Sequence, residues 1–149
     1  MDGDDLSRLV LQRWQVLDEL LRLSRQQLDA SRDGRMSEVM TLLAAKQKPL
    51  SALAVISGEL QSAIDDDPDS RHWNVASGRH ECRQQHQECE RMLVDLMQLE
   101  SDSESALTIS RDAIANRISE GEGHRRATSA YSGNVRKAST GGNLDLTSN

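Results

Sequence analysis

Residues 82 to 118 carry apolar or small side chains in a four-three alternation: Cys82, His86, Cys89, Leu93, Leu96, Glu100, Ser103, Leu107, Ser110 and Ile114. Steps of three and four residues keep those positions on one side of an α-helix, so the segment reads as one long helix with a single seam. A second seam runs through Val10, Trp14, Leu17, Leu21, Ser24 and Leu28, and a looser one extends from Met36 to Ile64. The pattern predicts an all-α fold. Its form is an elongated antiparallel bundle of three long helices, or of four if helix 2 or helix 3 breaks.

The punctuation between seams sets the expected boundaries. Helix 1 spans about Asp5 to Ser31, with Asp4 and Asp5 favouring its positive N-terminal end and Arg32-Asp33-Gly34 supplying a stop. Helix 2 starts between Asp33 and Ser37, either of which can cap it, and ends near Ile64. Each is roughly 28 residues and about 40 Å long, which suits an antiparallel hairpin. Pro49 inside helix 2 removes a backbone bond to the preceding turn and predicts a kink near Ala45-Lys46, with a full break as the alternative. Asp65-Asp66-Asp67-Pro68-Asp69 ends helix 2, and Ser70 to Gly78 is a connector whose Trp73 folds back on the bundle end. Helix 3, from about Arg79 to Ser119, spans about 60 Å and outreaches the hairpin by some 20 Å. Past Glu120-Gly121-Glu122-Gly123 the periodicity vanishes. The expected organisation is therefore a bundle domain at 1–120 and a flexible tail at 121–149, too polar to offset its ordering entropy.

Composition narrows the class. Phe is absent and Trp14, Trp73 and Tyr131 are the only aromatics, so aliphatic side chains must fill the interior, which disfavours β-rich folds. The net charge is −6, with −7 in residues 1–119 and +1 in residues 120–149. An acidic body has little to offer a phosphate backbone, so nucleic acid is not an expected partner. No apolar run approaches the roughly 20 residues that span a bilayer, and the start Met1-Asp2-Gly3-Asp4-Asp5 is acidic where a signal peptide would be basic. A cytoplasmic location with reduced thiols and no membrane insertion is the expectation.

Few residues invite chemistry. Cys82, His86 and Cys89 lie at i, i+4 and i+7 and could ligate a metal, but a closed site needs a fourth ligand. Both thiols fall on seam positions that want small side chains, so packing is the favoured reading and no metal or cofactor is assigned. Glu100 and Ser103 read as a polar layer in the seam rather than as part of an acid–base pair. Met36, Met40, Met92 and Met97 read as core filling ahead of an adaptable groove. With no Gly-rich phosphate loop, nucleophile elbow or zinc-protease motif, the chain does not read as an enzyme.

Residues 6–131 resemble the FlgN-like family of flagellar type III export chaperones. The likeness is carried by Val16-Leu17-Asp18-Glu19-Leu20-Leu21 and Gln27-Leu28 in helix 1, and by the turn Ser31-Arg32-Asp33-Gly34. It continues in Leu42-Leu43-Ala44-Ala45-Lys46-Gln47 with Leu50 and Leu53, in the long third helix, and in Ala130-Tyr131-Ser132-Gly133. The resemblance implies a cytosolic chaperone that binds the C-terminal amphipathic helices of hook-filament junction proteins and delivers them to the export gate. The geometric reading agrees with it. A helix 3 that outreaches its hairpin leaves Leu107, Ile109, Ile114 and Ile118 without an intrachain partner, so residues about 103–135 are the expected client-binding surface. Tyr131 is the candidate for docking on the export gate, its alternative being packing on the bundle end. The competing class is a self-associating coiled-coil module, a homodimer through the helix 3 seam.

Overall fold

The computed structural model describes the backbone of residues 1–146 and the side chains of residues 1–131. Three α-helices follow one another, α1 (Gly3–Arg32), α2 (Met36–Ser62) and α3 (Gly78–Leu146), with a single 3-10 turn at Pro68–Ser70 and no strand among the described residues. Met1–Thr108 forms one compact unit and the chain from Ile109 a second.

In the first unit, α1 and α3 run in the same direction and α2 runs against both. Arg13 pairs with Glu90 at 2.9 Å, Ser24 bonds Glu100 at 3.0 Å, and Lys46 bonds Gln27 at 2.8 Å. The α1–α2 turn is built on Gly34, whose φ of 70° is the left-handed conformation that glycine alone adopts freely. The backbone N–H of Arg35 returns to the Ala30 carbonyl at 2.9 Å and that of Gly34 to Ser31 at 3.3 Å, closing α1 with a Schellman-type cap. Neither Asp33 nor Ser37 caps α2. Its N-cap is Arg35, which makes no side-chain cap bond and instead pairs with Asp33 and Glu38.

α2 is unbroken through Pro49. The lost N–H frees the Ala45 carbonyl, and Ala45 faces solvent, where water can satisfy it. The ring of Pro49 itself is buried.

The connector is held by the chain start. The Asp2 carboxylate caps α1 through Gly3 N–H at 2.8 Å and also accepts from His72 N–H at 3.1 Å, while Gly3 N–H reaches the His72 carbonyl at 3.0 Å. Met1's ammonium pairs with Asp66 at 2.7 Å, which holds that carboxyl below its ordinary range. Trp73 folds back over Gly3, where any side chain would collide with the indole ring and the His72 carbonyl.

Two apolar clusters fill the unit. One joins Val10, Leu17, Leu20 and Leu21 to Cys82, Cys89, Met92 and Leu96, and the other joins Leu23 and Ala30 to Val39 and Leu42. Each buried leucine contributes roughly 1.5–3 kcal/mol of transfer free energy. Of the four methionines read as core filling only Met92 is buried; Met36, Met40 and Met97 are exposed, lying off the stripes that face the neighbouring helices.

α3 does not stop at Glu120-Gly121-Glu122-Gly123. The helix passes through both glycines, which have open space around them. An interior glycine costs a helix only about 1 kcal/mol relative to alanine, and no proline follows to force an end. The flexible tail expected from residue 121 falls, for its side chains from 132 onward, outside the described residues.

Candidate functional site

The seam of α3 divides at Thr108. Within the first unit Cys82, Cys89, Met92, Leu96 and Ser103 are buried and Leu93, Leu99, Glu100 and Leu107 half-buried. Leu107 packs against the cluster of Leu23, Ala30, Val39 and Leu42, which corrects the expectation that it lacks an intrachain partner. It closes the bundle rather than opening a binding surface, because the 78–108 stretch of α3 matches the 30 residues of α1 in length.

The second unit presents a different surface. Every residue from 111 to 131 is exposed, as is Ile109. At about 100° per residue, Ile114 and Ile118 stand about 40° apart on one face, whereas Ile109 points about 140–180° away. Ile109 therefore does not share the face of the other two isoleucines. Tyr131 is exposed. An isoleucine pair one turn apart on an otherwise polar, exposed helix is the geometry with which one amphipathic helix grips another. Arg111, about 60° from Ile114 and about 20° from Ile118 around the helix, adds a charge to the same face.

Between the two apolar clusters lies a polar layer. Lys46, buried on α2, places its ammonium between the Gln27 side-chain oxygen and the Glu100 carboxylate, which also accepts the Ser24 hydroxyl. Ser103 and Ser31, both buried, have hydroxyls with no partner among the described residues. Glu100 and Ser103 thus sit in the seam as anticipated, but the buried cation opposite them was missed. The signal was present: Lys46 falls in the stripe Val39, Leu42, Lys46, Pro49, Leu53 and Ile56, at the spacing of a core position.

Cys82, His86 and Cys89, the metal candidates set aside in favour of packing, do not converge. Cys82 and Cys89 face α1, where the Cys89 thiol approaches the Val10 carbonyl at 3.8 Å, while His86 is exposed and lies 3.9 Å from Glu90. No group of three His, Cys, Asp or Glu side chains with metal-binding geometry occurs among the described residues. Burial pushes both thiols above their ordinary value of 9.0, slightly offset at Cys82 by Ser7 and at Cys89 by Arg13. A raised folded value favours the fold below the unfolded thiol's value, and that contribution is lost as pH rises through the folded one. At pH 8 both thiols are expected to react with an aromatic disulfide reagent far more slowly than the denatured chain does. Urea midpoints should hold to about pH 8 and fall above about pH 9. Fast labelling of the native chain would contradict the burial.

α2 holds an 18-residue window of mean hydropathy 1.3 and, by length and composition, is apolar enough to cross a membrane, a segment the sequence reading found nowhere. In this fold its stripe of Val39, Leu42 and Ile56 is buried in the bundle, while Met40, Leu50 and Val55 are exposed.

No protein-family model, curated protein or solved structure matches the chain.

Proposed function

We propose that the chain is a helix-capturing chaperone, and that the isoleucine face of residues 109–131 is where its client docks. The observation that carries this reading is in the second unit: a helical segment whose residues 111–131 are all exposed, with Ile114 and Ile118 on one face. Exposed isoleucines so placed favour a partner, because covering each with apolar surface is worth roughly 1.5–3 kcal/mol. The three-helix unit of Met1–Thr108 is a separate folded unit, closed by Leu107 and the two apolar clusters.

The resemblance to FlgN-like chaperones narrows the proposal to a cytoplasmic flagellar export chaperone. Its clients would be the C-terminal helices of hook-filament junction proteins, delivered to the type III export gate, with Tyr131 as the docking residue for the gate. The role needs no catalysis, only reversible burial of an apolar helix that would otherwise aggregate.

Calorimetric titration of the full chain with C-terminal helical fragments of hook-filament junction proteins from the same genome tests this. One-to-one binding in the micromolar range or tighter, about −8 kcal/mol or better, is expected. Absence of binding to every fragment, together with a concentration-dependent dimer, would reassign the isoleucine face to self-association.

A further inference from the structure

At the end of the three-helix unit that holds the chain start lies a cleft of about 590 Å³. That volume falls within the roughly 300–1,000 Å³ typical of small-molecule sites. Its walls are apolar: Leu6 and Val10 of α1, Leu60 and Ile64 at the end of α2, Trp73 of the connector and Cys82 of α3. Four arginines line it as well, Arg13 from α1, Arg71 from the connector, and Arg79 and Arg83 from α3, against the single carboxylate of Glu90. In a chain of net charge −6, this places an excess of positive charge around an apolar hollow.

Neighbouring groups use little of that donor capacity. A guanidinium carries five N–H donors. Arg13 donates through one Nη to Glu90 at 2.9 Å, Arg71 through one Nη to the Ala63 carbonyl at 3.0 Å, and Arg79 through one Nη to Asp69 at 3.2 Å. Asp69 is highly exposed, so its hold on Arg79 is screened and exchangeable. Arg83 makes no hydrogen bond or ion pair among the described residues. Arg13, only 9% exposed, leaves its Nε unpartnered, as does Arg71, and the indole N–H of Trp73 has no acceptor. The donors open to an entering acceptor are those of the exposed Arg79, held by one screened pair, and of the exposed Arg83.

We propose that this cleft binds a small amphiphilic anion, its acid group held by Arg79 and Arg83 and its apolar body resting on Trp73, Leu60 and Ile64. The planar guanidinium fork suits a carboxylate, and the wall suits an aliphatic chain. The proposal is independent of the helix-capture reading, which uses the second unit.

Trp73 and Trp14 are the only tryptophans, so a Trp14→Phe chain reports the cleft through Trp73 emission alone. Titration of that chain with decanoate, kept below its micelle concentration, is expected to give a saturable one-to-one change. Decanol should bind at least about tenfold more weakly for want of the charge-assisted bonds, and decyltrimethylammonium should give no saturable change. Arg83→Ala should weaken decanoate by about tenfold while leaving the thermal unfolding curve in place, since Arg83 is exposed and unpaired. An absent decanoate response, equal responses to all three head groups, or an Arg83→Ala chain that binds as before would each overturn the proposal. Saturation by the peptide acetyl-Leu-Asp-Leu-amide in place of decanoate would also overturn it, by making the occupant a protein segment.

Discussion

Glu100→Leu is expected to destabilise the three-helix unit by about 3–5 kcal/mol, whereas Lys46→Met, at the other end of the same ion pair, costs under about 2 kcal/mol. The asymmetry follows from burial. The Lys46 side chain is 3% exposed and the Glu100 side chain 44%. Removing the carboxylate strands an ammonium among apolar neighbours with only the Gln27 oxygen as acceptor, and it takes the acceptor of Ser24 as well. Removing the ammonium leaves a carboxylate that reaches water and still accepts from Ser24, so only the Gln27 oxygen goes unpaired. The double variant Lys46→Met with Glu100→Leu should recover most of the loss, since a buried pair replaced by apolar groups of similar size is often neutral. Urea titrations at pH 7 with unchanged m-values provide the measurement. Equal costs for the two single variants would mean that both charges are solvated alike.

The layer also bears on why the bundle has one register. Leu17, Leu20 and Leu21 lie on one side of it and Ala30, Val39 and Leu42 on the other, both apolar. Apolar contacts alone would tolerate a slip of one heptad between α2 and its neighbours. Such a slip would bury Lys46 against leucine or alanine with no acceptor, so the ion pair discriminates among registers even where its net stabilisation is small.

The seams were legible because side chains three and four apart must share a helical face: Val10, Leu17, Leu21, Ser24 and Leu28 are all buried, as are Cys82, Cys89, Leu96 and Ser103. Other features were hidden for physical reasons. A lysine is read as solvated until a carboxylate from a distant helix is known to meet it, and Glu100 is 54 residues away from Lys46. The end of α3 was misjudged because a glycine stops a helix only where the backbone turns left-handed, as at Gly34, and sequence does not distinguish that from a glycine carried through. The arginine cleft was beyond reach because its four guanidinium groups come from three elements that only the connector's fold brings together. At the proposed client surface the isoleucines were found but grouped by closeness in sequence. The helical angle, not the spacing alone, separates Ile109 from Ile114 and Ile118.

That separation gives the sharpest test of the client surface. Ile114→Asp combined with Ile118→Asp is expected to reduce affinity for a client helix by at least about a hundredfold. Two isoleucines covered by a partner contribute roughly 3–6 kcal/mol, and each tenfold in affinity corresponds to about 1.4 kcal/mol. The unfolding transition of the three-helix unit should not move, because both residues are exposed and neither belongs to its apolar clusters. Ile109→Asp carries the same chemistry to the opposite face and should leave affinity within about threefold, as a surface change remote from the contact. Leu107→Asp should behave in the contrary way, lowering stability by more than about 1 kcal/mol, because that side chain packs on Leu23, Ala30, Val39 and Leu42. Titration calorimetry and urea melts on the same four proteins separate these outcomes. If Ile109→Asp cost as much affinity as the Ile114 and Ile118 pair, the client would surround the helix rather than lie along one face. If neither change mattered, residues 109–131 would not be the client surface, since two buried charges on its apolar face could not go unfelt.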